Sequence, residues 1–417
     1  MSKRLFRLPH TLYIIMALAF IVRLLYWWIF VGPTPNISGD ANFYYQTSHS
    51  IAENLTYGLN GELTATKLPG YPVFAGVVLK LFKKDAFVII CQYLLGVLAS
   101  LPIFLILRNY LNEKKAQVVT FAYLFYPTTW HWESQFMSES LFIFLNSLYL
   151  FFMYKYLTEG KIRKLCLTSI FGAFSLLTRP AAIFPLGIFY FYIIFREKPI
   201  RALKVAAVTG LIFLLIFSPW VLRNYRAFGH FIPISTSGGI TIYTSYVNWG
   251  YDMSIINLVP EDRERWSKLG TEYEKDKFLL SRTVNFLKQY PFKILTLAPV
   301  KIKDYFHPFD GRWYPLRYGS KYNIFYGILF SLAAVSLFWN RNKNLKLIKL
   351  SVLCLLGGIL SAIIFHGEIR YRFVLNPIFF LLSGLCFIDP LNQKGKKIII
   401  AMISFNLIFW GIGITIS

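Results

Sequence analysis

Residues 68–82 read LPGYPVFAGVVLKLF, and the fold depends on whether this stretch crosses the membrane. It is apolar but short, and it carries two prolines and Lys80. The basic loops further along the chain decide. If 68–82 crosses, then RNYLNEKK (108–115), EGKIRK (159–164), REKPIRALK (196–204), NRNKNLK (340–346) and NQKGKK (392–397) all face away from the basic N-terminus MSKRLFR. That breaks the rule that short Lys/Arg-rich loops stay on the cytoplasmic side. If 68–82 lies along the outer interface, all five clusters face inward with the N-terminus. The second reading is adopted, and residues 33–85 become one external loop with helices on the membrane surface.

Composition agrees. The 417 residues are 56 % hydrophobic and 18 % aromatic. The apolar residues fall in continuous blocks near the roughly 20 residues a spanning helix needs, not in amphipathic periods. The chain therefore reads as an all-α polytopic membrane protein of about eleven spans. They are placed at 11–32, 86–107, 116–132, 139–158, 164–178, 180–196, 203–221, 322–339, 347–366, 373–390 and 398–416. The TRP at 178–180 is read as a break between two spans. A second external segment covers 222–321. It runs from a Gly/Ser/Pro-rich opening through a charge-alternating helical stretch to the basic, aromatic PFKILTLAPVKIKDYFHPFD, which suits an interfacial helix.

The formal net charge of +24 would suggest nucleic acid in a soluble protein. Here it is accounted for by loops that orient the spans, and no nucleic-acid-binding motif accompanies it. Cys91, Cys166, Cys354 and Cys386 lie singly within apolar runs, so neither a disulfide framework nor a cysteine metal site is expected. The N-terminus reads as an uncleaved first span, with no small-residue cleavage site behind it. No GxxxxGK[ST] loop or dinucleotide fingerprint is present to hold a nucleotide-linked substrate.

Candidate chemistry gathers at the outer interface. Asp40, in PNISGDANFYYQTSHS, suits either a helix N-cap or a general base. Lys67, in TATKLPGYP, is either a snorkelling lysine or an anion site beside a helix start. Glu139 enters a span from outside, with His131 and Glu133 nearby, and is either a favourable helix-start charge or a second acid. Arg179 reads as a turn residue. Arg223 and Asn224 close a span on the outer side, where a guanidinium can grip phosphate. Arg370, Tyr371 and Arg372 sit in a short external turn, against the inside bias of arginine, and favour an anionic ligand. Cations and carboxylates on one membrane face suit a reaction between an anionic lipid-borne donor and a weakly nucleophilic acceptor.

The ordered set GD (39–40), KLPGYP (67–72), SESL (138–141), LTRP (177–180), PWVLRN (219–224) and RYRFVLNP (370–377) resembles the GT-C superfamily of polyprenyl-phosphate-sugar-dependent glycosyltransferases. It is most similar to the protein O-mannosyltransferase-like family and the bacterial lipid A aminoarabinose transferases. The resemblance implies a GT-C bundle over 1–390, containing both external loops, with 391–417 as a final span. It implies Asp40 as catalytic base, Glu139 as an acid near the site, and Lys67, Arg370 and Tyr371 at the donor phosphate; Arg223 and Arg372, read above as anion-binding arginines, are expected to add to the donor-phosphate site. It implies an inverting transfer from a polyprenyl-phosphate sugar to a hydroxyl or amine on a lipid, surface glycan or protein. The site would face outward from a bacterial plasma membrane with the N-terminus in the cytoplasm. The glutamate–histidine zinc site of the lipid A enzymes is not carried over, because Thr66 stands before Lys67. No metal ligands are assigned, although the resemblance leaves room for a divalent cation. A transporter or flippase of a lipid-linked glycan is the alternative, since it too needs cations for lipid phosphates. It would show paired half-sequences with interrupted helices, and none is seen.

Overall fold

The computed structural model describes residues 8–32, 37–248, 258–306, 308–310, 321–340, 345–367 and 369–388, with parts of 397–404. The expected last span, 398–416, falls almost wholly outside the described residues, and NRNKNLK does so in part.

The chain is helical nearly throughout. Helix α1 (His10–Tyr26) continues as a π turn to Val31. The first external loop follows, as α2 (Asp40–Asn54), the hairpin β1 (Gly58–Leu59) and β2 (Glu62–Leu63), and α3 (Gly70–Phe82). Asn60 and Gly61 form the two-residue turn, both at positive φ (53° and 84°), as the right-handed twist of a tight hairpin requires.

Helix α3 covers most of residues 68–82. Its 13 residues span about 20 Å, short of the roughly 30 Å hydrocarbon core. It buries Tyr71, Ala75, Val78 and Leu79 against α2 and its neighbours and leaves Val73, Val77 and Leu81 outward.

The spanning set, which begins with α1, continues with α4 (Asp85–Leu98) and α5 (Ser100–Leu107), which run as one apolar rod. The span expected at 116–132 is instead two pieces, α6 (Glu113–Leu124) and α7 (Pro127–Glu133). Pro127 has no N–H to continue the ladder and opens the second piece. Helices α8 (Glu139–Glu159) and α9 (Ile162–Thr178) form a tight hairpin, closed by Gly160 at φ 65°. Arg179 is extended, and a short 3-10 turn over Pro180–Ala182 leads into α10 (Ile183–Arg196), so the break at TRP is real.

Helix α11 (Pro199–Phe228) is 30 residues long. The sequence placed its end at 221, but the helix runs two turns further, with Pro219 inside it, and stops at Gly229. The polar run RNYRAF therefore belongs to the helix and not to the loop.

The second external segment holds α12 (Gly238–Tyr246), α13 (Pro260–Ser267), α14 (Glu272–Gln289) and α15 (Lys293–Phe306). Phe309–Asp310 and Lys321–Tyr322 pair as a second small hairpin, β3 and β4. The bundle closes with α16 (Ile324–Asn340), α17 (Lys346–Ile364), a 3-10 stretch over Ile369–Leu375 and α18 (Asn376–Gly384).

Five helices among the described residues are long and apolar enough to span a membrane, and four shorter apolar ones accompany them. Close packing rests on small residues, as expected where lipid competes with side chains for apolar contact. A Cβ on Gly357 of α17 would lie 2.5 Å from Pro185 Cα, so α17 and α10 meet backbone to backbone. Short links alternate helix direction through the bundle. Asp85, Glu139, Arg179 and the C-terminus of α11 are thereby brought to one end, beneath α2 and α3.

Candidate active site

Asp40 and Lys67 are in contact. The Lys67 Nζ donates to Asp40 Oδ1, and the pair keeps 21 % and 34 % of its side-chain exposure. Asp40 is the first residue of α2, where the helix dipole favours a carboxylate. The N-cap position belongs to Gly39, whose φ of 56° few other residues adopt. The capping alternative for Asp40 is therefore corrected. Lys67 lies over the ring of Tyr44, 5.0 Å from its centroid, and its carbonyl accepts from Tyr57 Oη at 2.9 Å. Burial holds the Tyr57 phenol well above its ordinary range, so it stays a neutral donor.

Tyr44 carries the contact inward. Its Oη donates to Ser138 Oγ at 3.4 Å, and Arg179 Nη1 reaches the same oxygen at 3.4 Å. Arg179 also pairs with Glu139 Oε1 at 2.5 Å, both side chains buried. Its guanidinium lies 6.0 Å from the ring of Tyr371. Asp40, Lys67, Glu139 and Tyr371 are thus joined in one path of contacts. The sequence did not give Arg179 its place at the centre. A buried carboxylate costs several kcal/mol unless paired, and Arg179 is the partner that makes Glu139 tolerable there.

Arg223 sits at the outer end of α11 and braces the first external loop. Its Nη1 donates to the Thr64 carbonyl (2.7 Å) and to Asn224 Oδ1 (2.9 Å), and its Nη2 donates to the Tyr57 carbonyl at 2.5 Å. Three aromatic rings surround it, those of Tyr57, Trp220 and Phe228. Arg372 is buried, with its guanidinium 3.4 Å from the centroid of Tyr326, inside the bundle rather than in an open external turn. The side chain of Arg370 lies outside the described residues.

The side chains of His131 and Glu133 have other partners. Glu133 is held by Arg23 of α1 at 2.8 Å, and His131 Nε2 lies 2.8 Å from Gln135 Nε2. Among the described residues no cluster of three or more His, Cys, Asp or Glu could hold a metal.

The second external segment is anchored from below. Lys301 of α15 is fully buried, donating to Ser245 Oγ (2.6 Å) and the Ile363 carbonyl (2.8 Å). Burial lowers its ammonium to about 7. Four residues on, Tyr305 Oη donates to the Tyr371 carbonyl at 3.3 Å, so α15 fixes the turn that carries Tyr371.

Beside Lys67 opens a cleft of about 810 Å³, lined mostly by apolar groups such as Leu55, Val73, Leu177 and Trp220, with Arg223 and Arg226 among its lining. Pro69, two residues from Lys67, is part of its wall.

Residues 66–222 match the family model of the dolichyl-phosphate-mannose-protein mannosyltransferases. No curated protein matches the chain in sequence. Among solved structures, the chain is similar to the oligosaccharyltransferase AglB from Archaeoglobus fulgidus in complex with an inhibitory peptide and a dolichol-phosphate. The TM-score is 0.54 and the identity 14 %, over 96 % of this chain and 54 % of that one. The same enzyme in complex with Zn and sulfate gives 0.52 at 14 %, over 96 % and 51 %. ArnT from Cupriavidus metallidurans, bound to undecaprenyl phosphate, gives 0.43 at 14 %, over 90 % and 77 %. The chain thus spans about half the length of the archaeal enzyme. The family-model match over residues 66–222 bears out the resemblance to the protein mannosyltransferases, and the chain shares the fold of the archaeal oligosaccharyltransferase.

Proposed function

We propose that this chain is an integral-membrane glycosyltransferase that moves a sugar from a polyprenyl phosphate to a hydroxyl or amine. The acceptor is carried on a lipid, a surface glycan or a protein. Residues 1–390 form the catalytic unit, and the basic loops put the site on the outer face of a bacterial plasma membrane. The observation that carries the reading is the contact between Asp40, at the start of α2, and Lys67, in the segment leading into α3, two residues from Pro69 in the wall of an apolar cleft. A carboxylate, a cation and a greasy groove are what such a reaction needs side by side. The archaeal oligosaccharyltransferase of the same fold has been solved with a dolichol-phosphate, which is consistent with the donor class.

The isoprenoid lies in the cleft with its phosphate drawn to Lys67. Asp40 then takes the proton from the acceptor O–H or N–H as that atom attacks the anomeric carbon. The bond from that carbon to the phosphate oxygen breaks, and the lipid phosphate leaves with the electron pair. Lys67 stabilises the charge that grows on it, an interaction stronger in the transition state than before it. A single displacement of this kind inverts the anomeric centre. The buried Glu139–Arg179 pair supports the floor beneath Tyr44 and Arg223 lines the cleft wall; Arg370 and Tyr371 are assigned to the donor phosphate, with Arg372 supporting their turn from inside the bundle.

The test uses purified protein and a radiolabelled polyprenyl-phosphate sugar, with membrane extract as acceptor source. Label should move to an acceptor fraction in a Lys67-dependent way. Translocation of the intact donor across vesicles, without transfer, would instead establish a flippase.

A further inference from the structure

The tripeptide Thr64–Ala65–Thr66, just before Lys67, has its polar groups taken up by distant parts of the chain. Glu272, the first residue of α14, stands 208 residues from Thr64. Its carboxylate accepts from Thr64 Oγ1 (2.9 Å), from the Ala65 N–H (2.5 Å) and from Thr66 Oγ1 (3.1 Å). On the other side, the Ala65 carbonyl accepts from Thr236 N at 3.0 Å, and the Thr64 carbonyl from Arg223. Thr64 and Ala65 are buried, so these groups have no water to fall back on.

Glu272 is itself well held. A capping box fixes the start of α14, with the Glu274 N–H on Thr271 Oγ1 (3.2 Å) and the Thr271 N–H on Glu274 Oε2 (3.0 Å). A charged acceptor with three donors on one short segment is a strong, directional contact. The next residue is the lysine that meets Asp40.

We propose that Glu272 is a positioning residue for Lys67: it clips Thr64–Thr66 to the second external segment and so sets where the ammonium stands relative to Asp40 and the donor phosphate. The inference rests on the polyprenyl-phosphate reading above. It adds that the two external loops form one working unit, joined one residue away from the phosphate site. Binding by Lys67 tolerates little displacement, since misplacing a reacting group by 1 Å can cost about 10²-fold in rate.

The experiment measures binding of labelled undecaprenyl phosphate to the full chain in detergent, with hydrogen exchange of residues 57–67 and the thermal midpoint followed in parallel. Glu272→Ala should weaken binding about tenfold or more, the scale of a hydrogen bond to a charged group, and release the protection of 57–67. Glu272→Gln keeps an acceptor for Ala65 and a polar partner for both threonines, so it should restore most of the affinity. Thr64→Val with Thr66→Val should add little once Glu272 is Ala, because all act through one contact. If Glu272→Ala does not fold, Thr66→Val carries the test, with a smaller loss expected at an unchanged midpoint. Equal binding by wild type and Glu272→Ala overturns the proposal and leaves the glycosyltransferase reading intact. So does a Gln variant as weak as Ala, which would mean that the charge, not the clip, matters. A wild type that binds no undecaprenyl phosphate removes the donor reading, and this inference with it.

Discussion

Replacing Asp40 with Asn changes one atom and removes one charge, and the geometry predicts two effects of opposite sign. Asp40 and Lys67 share a contact but remain 34 % and 21 % exposed. The net worth of such a half-solvated pair is at most about 1 kcal/mol, or roughly a factor of five in an equilibrium. The donor phosphate competes with Asp40 for the same ammonium. Removing the carboxylate should therefore tighten binding of undecaprenyl phosphate by up to about fivefold. Transfer should fall in the same variant by about 10²–10⁴, the usual contribution of a positioned general base. Lys67→Met, by contrast, should weaken both binding and transfer. The assay pairs equilibrium binding of labelled lipid phosphate with single-turnover transfer at saturating donor. A variant that binds more tightly and reacts slowly is the signature of a base that also restrains the phosphate ligand. Transfer by Asp40→Asn at the wild-type rate would refute the base assignment, and binding that weakened in step with the rate would refute the competition.

Other perturbations follow from the same contacts. Arg179→Met strands Glu139 in a buried site and should cost about 3–5 kcal/mol. Thermal denaturation should show the loss, and adding Glu139→Gln should recover most of it. Gly70→Ala places a methyl 2.7 Å from both the Leu177 carbonyl and Thr178 Oγ1, and should cost about 1–3 kcal/mol while weakening donor binding. A neutral result would mean that α3 does not depend on α9 for its position. Lys301 loses its proton near pH 7 when folded, because burial penalises the ammonium, but near 10.4 in the unfolded chain. Between those values the unfolded state binds more protons, so stability should rise with pH from 7 to 9, by at most about 1.4 kcal/mol per unit. Lys301→Met should remove that rise, and an unchanged slope would place the amine elsewhere.

The sequence carried the architecture wherever an element has a local cause. The short prolyl stretch 68–82 forms a helix of its own, α3, set off by its prolines, and proline likewise marks the break at Arg179–Pro180. The division at Pro127 was passed over because apolar composition continues through it. The end of α11 was misplaced because RNYRAF is polar yet perfectly able to stay helical. At the site, Asp40 and Lys67 stood out as charges in apolar surroundings. Their partners did not. Glu272 looks like any acid at a helix start, since its role depends on threonines 206 and 208 residues away. Arg23 and Glu133 are 110 residues apart and betray nothing locally. Lys301 read as one more interfacial base, and only the fold buries it.

Helix α11 has a consequence that reaches the lipid itself. Its 30 residues measure about 45 Å; the apolar part expected at 203–221 covers about 28 Å, close to the hydrocarbon thickness, and the polar turns beyond it, RNYRAF, stand outside that layer. A helix packed on α9 and α10 along one side, with the other side open, meets a change of membrane thickness by leaning. Its upper end carries the Arg223 brace, so any lean is delivered to the hairpin beside Lys67. If α11 leans in this way, transfer rates in nanodiscs should vary with acyl-chain length. That dependence should flatten in Arg223→Ala, where the lever no longer reaches the hairpin; a wild type indifferent to chain length would show that the rod stands still.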